Sequence, residues 1–413
     1  MTTQGNGAEM KSIAIIGAGM AGARACISLR ANGYAGAITL LGEEDLLPYD
    51  RPPLSKASIT QEGEPQPVWL LDETIARELK VDVRKGVAAT AISQGEKAVS
   101  LSDGSSVAYD KLLIATGARP RTLSIAGGEH ALTLRTHDDA IELRKRFAVG
   151  SNIVIIGGGF IGLELASSAA KRGCHVTVVE AQPRILMRGV PEAIARIVHA
   201  RHEQAGVAML TGVGLSHLTK AAVHLKDERV LAADTIIAGI GAAPETTLAA
   251  MAGLAIDNGI ACDQHMRTSA PDIYAAGDCA SFIHARLGNR RMRLEAWRSA
   301  QDQATTAAEN MLGLARQHTT VPWFWSDQYE LSLQIAGVPE MGPVTVARKP
   351  NEQTIILFHL ASDGALMGAS GIGPGNAIAR DIKLAEMMIA KGLKPLVDVL
   401  ADPGQQLKSL LKG

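Results

Sequence analysis

Cysteine is sparse in this chain of 413 residues: only Cys26, Cys174, Cys262 and Cys279 occur. No two are spaced as CxxC or as a zinc-ligand pair, which argues against a disulfide scaffold. Aromatic residues amount to 3%. Net charge is also nearly missing, with 41 basic against 42 acidic residues, so nothing global favours wrapping nucleic acid or coating an anionic membrane. Any charged docking site must be local. Long apolar runs are absent too: the stretch at 153–156 is stopped by glycines well short of the ~20 residues that a membrane span needs. The opening MTTQGNGAEMK has neither a basic n-region nor an apolar h-region. These absences predict a soluble, cytoplasmic protein.

What is present is ample core-forming material, 46% hydrophobic against 20% charged, in a length that predicts two or three domains at ~150 residues each. An internal repeat organises it. Ser12-Ile13-Ala14-Ile15-Ile16 runs into Gly17-Ala18-Gly19-Met20-Ala21-Gly22, and Asn152-Ile153-Val154-Ile155-Ile156 runs into Gly157-Gly158-Gly159-Phe160-Ile161-Gly162. A second echo pairs residues 99–120 with 223–244: Asp110 matches Asp234, Gly117 matches Gly241 and Pro120 matches Pro244 at one constant offset. Two echoes in the same order imply two similar nucleotide-binding units, each with buried parallel strands joined through helices in a doubly wound sheet. Asp103-Gly104 marks a β-hairpin. From about Trp325 the pattern changes to short strands such as 354–360 and an amphipathic helix near 378–389, a third and smaller domain.

A lone GxGxxG is a weak signal, but each copy here follows an apolar strand and opens a helix. Gly17 and Gly157 permit the tight turn, Gly19 and Gly159 let the backbone approach a pyrophosphate, and Gly22 and Gly162 let helix pack on strand. Two such turns predict two dinucleotides. The second strand of each unit should end in an acid for ribose hydroxyls. In the second unit that acid is Glu180, which would repel a 2′-phosphate and favour NADH. In the first unit it slips past Gly42 to Glu43, with Glu44 read as the more solvated of the two. Glu164, on an otherwise apolar helix, needs a partner because an unpaired buried carboxylate is costly. Lys56, in the proline-stiffened loop Arg51-Pro52-Pro53-Leu54-Ser55-Lys56, is the expected one.

These glycine turns resemble those of a known group when taken with Pro-Leu-Ser-Lys at 53–56, Thr116-Gly117-Ala118-Arg119-Pro120, Gly277-Asp278-Cys279 and Trp323-Phe324-Trp325-Ser326-Asp327-Gln328. The chain is similar to the FAD-dependent, NADH-using ferredoxin reductases, the family of the putidaredoxin and rubredoxin reductases and of the reductase components of biphenyl and toluene dioxygenases. The resemblance runs from about Ser12 to the C-terminal helix. It implies an α/β chain with two Rossmann-like dinucleotide-binding domains of the glutathione-reductase type and a smaller α+β C-terminal domain. The FAD-binding domain would be discontinuous, 1–114 with 244–324, the NADH-binding domain 115–243 and the C-terminal domain 325–413.

The resemblance further implies that Ala21, Glu43 and Ala89 surround the adenosine half of FAD, with Arg51, Lys56 and Arg135 as further contacts and Thr116-Gly117 in the same site. Asp278 would hold the ribityl chain, and Trp297 would offer its backbone to the flavin ring. On the nicotinamide side it implies Gly157 to Gly162, Glu164 and Glu180, with Arg184 or Arg188 near the adenosine phosphates. Lys56, paired to Glu164, and Trp325, against flavin and nicotinamide, would serve the chemistry: hydride from NADH to FAD, then single electrons to a plant-type or Rieske [2Fe–2S] ferredoxin serving an oxygenase or a cytochrome P450. The alternatives are another flavoenzyme, such as a disulfide reductase or an NADH peroxidase, which would need a redox cysteine, and an NADH oxidase-like or redox-sensing flavoprotein resembling apoptosis-inducing factor. Two further clusters are read as structural or electrostatic: His199 and His202 as a solvated helix face with no third metal ligand, and the arginines from Arg286 to Arg298 as a charged loop suited to an acidic partner.

Overall fold

The apolar run Ser12–Ile16 forms a strand buried from Ile13 onward, as a parallel strand covered on both faces must be. In the computed structural model, which describes residues 10–412, it is the middle strand of a five-stranded parallel sheet. The order is Ile273–Ala275, Lys111–Ile114, Ser12–Ile16, Ala37–Leu41 and Val81–Arg84. The chain fills one side of Ser12–Ile16 first and the other side later, so the order reverses at the strand that leads into Gly17. Such a switch point is where open α/β sheets bind their ligands. Helix Met20–Ala31 follows the glycine turn and packs beside helix Trp297–Met311, with Arg24 Nε donating to Thr305 Oγ1 at 3.1 Å. The expected hairpin is present: Ala98–Leu101 and Ser106–Ala108 pair antiparallel around Gly104, whose φ is +84°. These elements belong to one compact unit made of Met1–Asp50, Pro67–Arg119 and Pro244–Thr320.

The second unit comprises Arg51–Gln66, Pro120–Ala243 and Val321–Gly413. It repeats the plan around Asn152–Ile156, in a four-stranded parallel sheet ordered Ala208–Thr211, His175–Glu180, Asn152–Ile156 and Thr235–Ala238. Helix Phe160–Lys171 follows the second glycine turn. The C-terminal part is a five-stranded antiparallel sheet in the order Trp323–Gln328, Leu331–Gly337, Leu366–Pro374, Thr354–Leu360 and Val344–Asn351. Helix Ala379–Ala390 buries Ile382, Ala385 and Met388 in the same core as Ile356, Phe358 and Ala369. Each fully buried isoleucine, methionine or phenylalanine among them contributes roughly 1.5–3 kcal/mol.

The proline loop lies in sequence between two strands of the first sheet, yet it folds within the second unit. Pro52 and Pro53 open a 3₁₀ turn, Pro52–Ser55, and a short helix, Ala57–Thr60, follows. Three side chains of the second unit hold its carbonyls. Arg144 donates to Ile59 O at 2.8 Å and to Gly63 O at 2.7 Å, Arg172 to Ile59 O at 3.1 Å, and Ser168 to Ser55 O at 2.7 Å. One expectation is corrected by the packing of this unit. His202 does not lie on a solvated face of helix Glu192–Gln204: it is fully buried, with Nε2 2.9 Å from Gln328 Oε1.

Candidate functional site

The two glycine turns have the same construction. Gly17 has φ +113°, and a Cβ there would lie 2.1 Å from Ala115 O; Gly157 has φ +108°, and its Cβ would lie 2.5 Å from Gly239 O. Gly22 and Gly162 press on the carbonyls of Gly17 and Gly157, at 2.0 and 2.2 Å from a hypothetical Cβ. These four glycines are required by the chain itself. The middle glycines are not: a Cβ on Gly19 would meet nothing within 4 Å, and one on Gly159 only Gly239 O at 3.7 Å. Both middle glycines are helix N-caps with no side-chain capping bond, and neither following first turn carries an acid. Two helix N-termini are thus left with uncapped N–H groups beside open space, the arrangement that receives a pyrophosphate.

Glu180 ends strand His175–Glu180, with Oε2 accepting from Gly158 N–H and Oε1 from Gln182 N–H, each at 2.7 Å. The acid expected to read the ribose is therefore tied to the glycine turn. In the first unit the solvation of the two acids is the reverse of that expected. Glu44 is half-buried and accepts from Tyr49 O–H at 2.6 Å, whereas Glu43 is exposed, with Arg119 as its neighbour at 3.4 Å. Arg184 spends its guanidinium on the carbonyls of Ile185, Leu186 and Val190, at 3.0–3.1 Å. Arg188, by contrast, is exposed and reaches the Gly241 turn, so of the two arginines it is the one placed to meet a phosphate.

Glu164 is 4% exposed, and its carboxylate has three donors. Lys56 Nζ lies 2.6 Å and Ser55 Oγ 2.5 Å from Oε2, and Ser326 Oγ lies 2.6 Å from Oε1. The partner expected for the carboxylate is in place. Ser55 and Ser326 were missed by sequence reasoning, although alternation along Trp323–Gln328 carries a signal for the second. A strand puts residues 324 and 326 on one face about 6.7 Å apart, and a helix spaces residues 160 and 164 about 6 Å apart. The two spacings match: Phe324 meets Phe160 with ring centroids 4.4 Å apart and planes tilted by 51°, and Ser326 meets Glu164. The opposite face holds Trp325, its ring 5.3 Å from that of Trp323 and inclined by 20°. Nearby in the sequence of this unit, Arg51 donates to the carbonyl of Arg135, at the start of a capping box in which Asp139 accepts from Arg135 N–H and Thr136 N–H, each at 2.8 Å.

In the first unit Gly277 N–H donates to Gln303 Oε1 at 2.8 Å, and Gln303 Nε2 donates to Ser299 Oγ at 2.8 Å. This buried glutamine pins the turn that carries Asp278. Trp297 is the first residue of helix Trp297–Met311, so its N–H has no acceptor within the helix; its indole N–H donates to Asp50 Oδ1 at 2.5 Å. Thr116 Oγ1 donates to Glu245 O at 2.7 Å beside Gly117, whose φ is +72°. Ala89 opens strand Ala89–Ser93, and Ala21 lies against the turn at Gly277.

All four cysteines are buried free thiols; burial pushes Cys26 up to about 12 and raises Cys174, Cys262 and Cys279 as well. A thiol held protonated is a poor nucleophile. Among the described residues no group of three or more His, Cys, Asp or Glu side chains converges on a metal-sized site, and no helix is long and apolar enough to cross a membrane. The arginine segment is not a loop throughout: Arg290–Met292 is a strand paired with Ala280–His284. Arg291 bonds the carbonyls of Ser281 and Cys262 and pairs with Asp257 at 3.2 Å, and Arg293 pairs with Glu295 at 2.6 Å, while Arg286 and Arg290 remain exposed.

Comparison with known proteins agrees with this geometry. Residues 11–304 match the pyridine nucleotide-disulphide oxidoreductase family and residues 323–411 the reductase C-terminal family. The ferredoxin–NAD⁺ reductase component of the anthranilate 1,2-dioxygenase system of Burkholderia cepacia is 37% identical over 408 residues, covering 96% of this chain and 98% of that protein. The putidaredoxin reductase of Pseudomonas putida is 37% identical over 368 residues, covering 86% and 87%. The solved covalent complex of putidaredoxin reductase with putidaredoxin superposes with a TM-score of 0.90 at 33% identity, over 97% of this chain and 98% of that one. Likeness of this extent, from the first glycine turn to the C-terminal helix, makes the chain a member of the pyridine nucleotide-disulphide oxidoreductase family, among its ferredoxin reductases.

Proposed function

We propose that this chain is an NADH-dependent, FAD-containing reductase of a [2Fe–2S] ferredoxin, and that the ferredoxin serves an oxygenase or a cytochrome P450. The observation that carries the reading is the pair of uncapped glycine cradles, one in each unit, where among the described residues a Cβ on the middle glycine would meet nothing within 4 Å at Gly19 and only Gly239 O at 3.7 Å at Gly159. FAD belongs to the cradle of the first unit and NADH to that of the second, where Glu180 selects against a 2′-phosphate. FAD, when bound, accepts a hydride from NADH and releases the electrons one at a time.

The residues of the chain bind, orient and supply charge. Gly17, Gly19 and Gly22 form the cradle for the FAD pyrophosphate, and Ala21, Glu43, Ala89, Thr116 and Gly117 its surroundings. Asp278 takes the ribityl chain, the backbone of Trp297 faces the ring, and Arg51 and Arg135 are further contacts. Gly157, Gly159, Gly162 and Arg188 bind the phosphates of NADH. Lys56, held by Glu164, brings the positive charge that an electron-accepting ring requires, and preorganised charge of this kind is a large term in catalysis. Trp325 packs against the reacting rings. The domain division 1–114 with 244–324, 115–243 and 325–413, and a cytoplasmic location, belong to the same proposal.

The test is direct. The purified protein is expected to be yellow with one non-covalent FAD per chain, to be reduced by NADH faster than by NADPH, and to pass electrons to at least one member of a panel of ferredoxins and rubredoxin. A colourless protein that cannot be reconstituted with FAD overturns the cofactor assignment; slow NADH oxidation that no ferredoxin accelerates overturns the partner assignment in favour of a redox-sensing flavoprotein.

A further inference from the structure

Behind the Lys56–Glu164 pair lies a row of buried polar side chains that the reading above does not use. Ser326, Gln328 and His202 are 1%, 4% and 0% exposed, and each would carry a substantial penalty if left unpaired. Ser326 Oγ is 2.6 Å from Glu164 Oε1, Gln328 Nε2 is 3.3 Å from Ser326 Oγ, Gln328 Oε1 is 2.9 Å from His202 Nε2, and His202 Nδ1 is 3.2 Å from the Tyr329 hydroxyl. The carboxylate end sets the direction of every link. An ionised carboxylate only accepts, so Ser326 spends its proton on Glu164 and must accept from the Gln328 amide N–H. The amide oxygen then faces His202 and can only accept, which puts the imidazole proton on Nε2. Nδ1 is left bare and takes the Tyr329 O–H. Tyr329 is itself fixed from outside, its ring under the Arg201 guanidinium at 4.0 Å, and Arg201 is paired with Glu330 at 2.7 Å.

We propose that Ser326 is a positioning residue for the Lys56–Glu164 pair, aiming the carboxylate by its hydrogen bond to Oε1, and that Gln328 and His202 hold the Ser326 hydroxyl in its donating orientation. The inference rests on the reading of the chain as an NADH-dependent flavoprotein. With Oε1 anchored, Glu164 presents Oε2 to Lys56 in one rotamer; without the anchor the carboxylate can rotate and the ammonium follows it. The same strand that carries Ser326 carries Trp325 on its other face, so the orientation of the ion pair is coupled to the C-terminal sheet.

Ser326→Ala removes one oxygen from a buried site, and Ser326→Thr restores the hydroxyl. In the oxidised holoenzyme, the ¹³C resonance of the Glu164 carboxylate, assigned by its absence in Glu164→Gln, is expected to move in Ser326→Ala and to return toward its original position in Ser326→Thr. In stopped flow at saturating NADH the rate of flavin reduction should fall about tenfold in Ser326→Ala, with the apparent Kd for NADH and the FAD content unchanged, and recover in Ser326→Thr. In the Glu164→Gln background the further change to Ser326→Ala should have no added effect, because the two residues act as a unit. A folded, flavin-loaded Ser326→Ala protein with an unmoved carboxylate resonance and an unchanged reduction rate overturns the inference, as does a full additional loss in the Glu164→Gln background. Failure of the unaltered protein to bind FAD or to be reduced by NADH is a different result and defeats the functional reading itself.

Discussion

At the scale of single residues, the glycines of each turn divide into those the fold needs and those the ligand needs. Gly17→Ala puts a Cβ 2.1 Å from Ala115 O at a φ of +113°, so the protein should lose about 3 kcal/mol or more of stability, measurable by urea titration. Gly19→Ala meets no protein atom. It should fold with its thermal midpoint nearly intact, yet bind FAD about tenfold more weakly or worse, as read by equilibrium dialysis of the flavin. Equal loss of stability in both variants would show that the open space at Gly19 is not a phosphate cradle. On the proposed reading Glu180 has two tasks, since its carboxylate also ties Gly158 and Gln182 N–H. Glu180→Ala should therefore both narrow the preference for NADH over NADPH and raise KM for NADH; equal use of both nucleotides by the unaltered protein would show that Glu180 does not read the ribose.

Among elements, strand Arg290–Met292 shows how one basic segment places its arginines in two different environments. Arg291 turns inward and bonds the carbonyls of Ser281 and Cys262, whereas Arg290 points outward. Arg291→Glu should lower the thermal midpoint by several degrees and impair all steps together. Arg290→Glu should leave the midpoint and the rate of flavin reduction by NADH unchanged, while lowering the second-order rate with an acidic ferredoxin about threefold at low salt and flattening its salt dependence. Unaltered ferredoxin kinetics in Arg290→Glu would remove this strand from the docking surface. The pair also shows why a run of arginines is a poor guide to a surface: in a strand alternate side chains take opposite faces.

For the molecule as a whole, histidines buried in their neutral form make stability sensitive to acid. Burial lowers His202 and His359 to about 4 and His318 to about 3, and lowers His284 as well. In the unfolded chain these groups titrate near 6.5. As pH falls through 6.5 the unfolded state takes up protons that the native state refuses, so stability falls with pH until the folded-state values near 4 are reached. Each shift of this size is worth roughly 3 kcal/mol when fully expressed. The unfolding free energy should be flat with respect to these groups above pH 7 and drop steeply between pH 6.5 and 4, and His318→Phe should reduce the slope; a stability unchanged from pH 7 to pH 5 would contradict this account. Both units contain such histidines, His284 and His318 in the first and His202 and His359 in the second, so acid should weaken each of them.

The two dinucleotide turns, the hairpin at Gly104, the strand at 354–360 and the helix after Ile378 were legible in the sequence because each is a local event. Strand and helix periodicity, and the conformations that only glycine tolerates, are written in consecutive residues. The acid at Glu180 was legible for the same reason, since it ends a strand whose start is visible. The need of Glu164 for a cation could be inferred from a charge on an apolar helix, but the carboxylate has three donors; of the other two, Ser55 has no local mark and Ser326 only the alternation of its strand. Gln303 under the Gly277 turn and Asp50 beneath Trp297 are likewise contacts between distant stretches of chain. The solvated face assigned to His202 failed because the burial of a helix face depends on what packs against it, here a strand more than a hundred residues away. The relative exposure of Glu43 and Glu44 was misjudged because a single side-chain bond to Tyr49 decides it. Sequence by itself determined which residues build the two glycine turns, because backbone geometry is a property of short segments. Only the tertiary structure decided which polar groups converge behind the ion pair and which arginines are exposed, because desolvation and hydrogen bonding depend on neighbours that the chain supplies from far away.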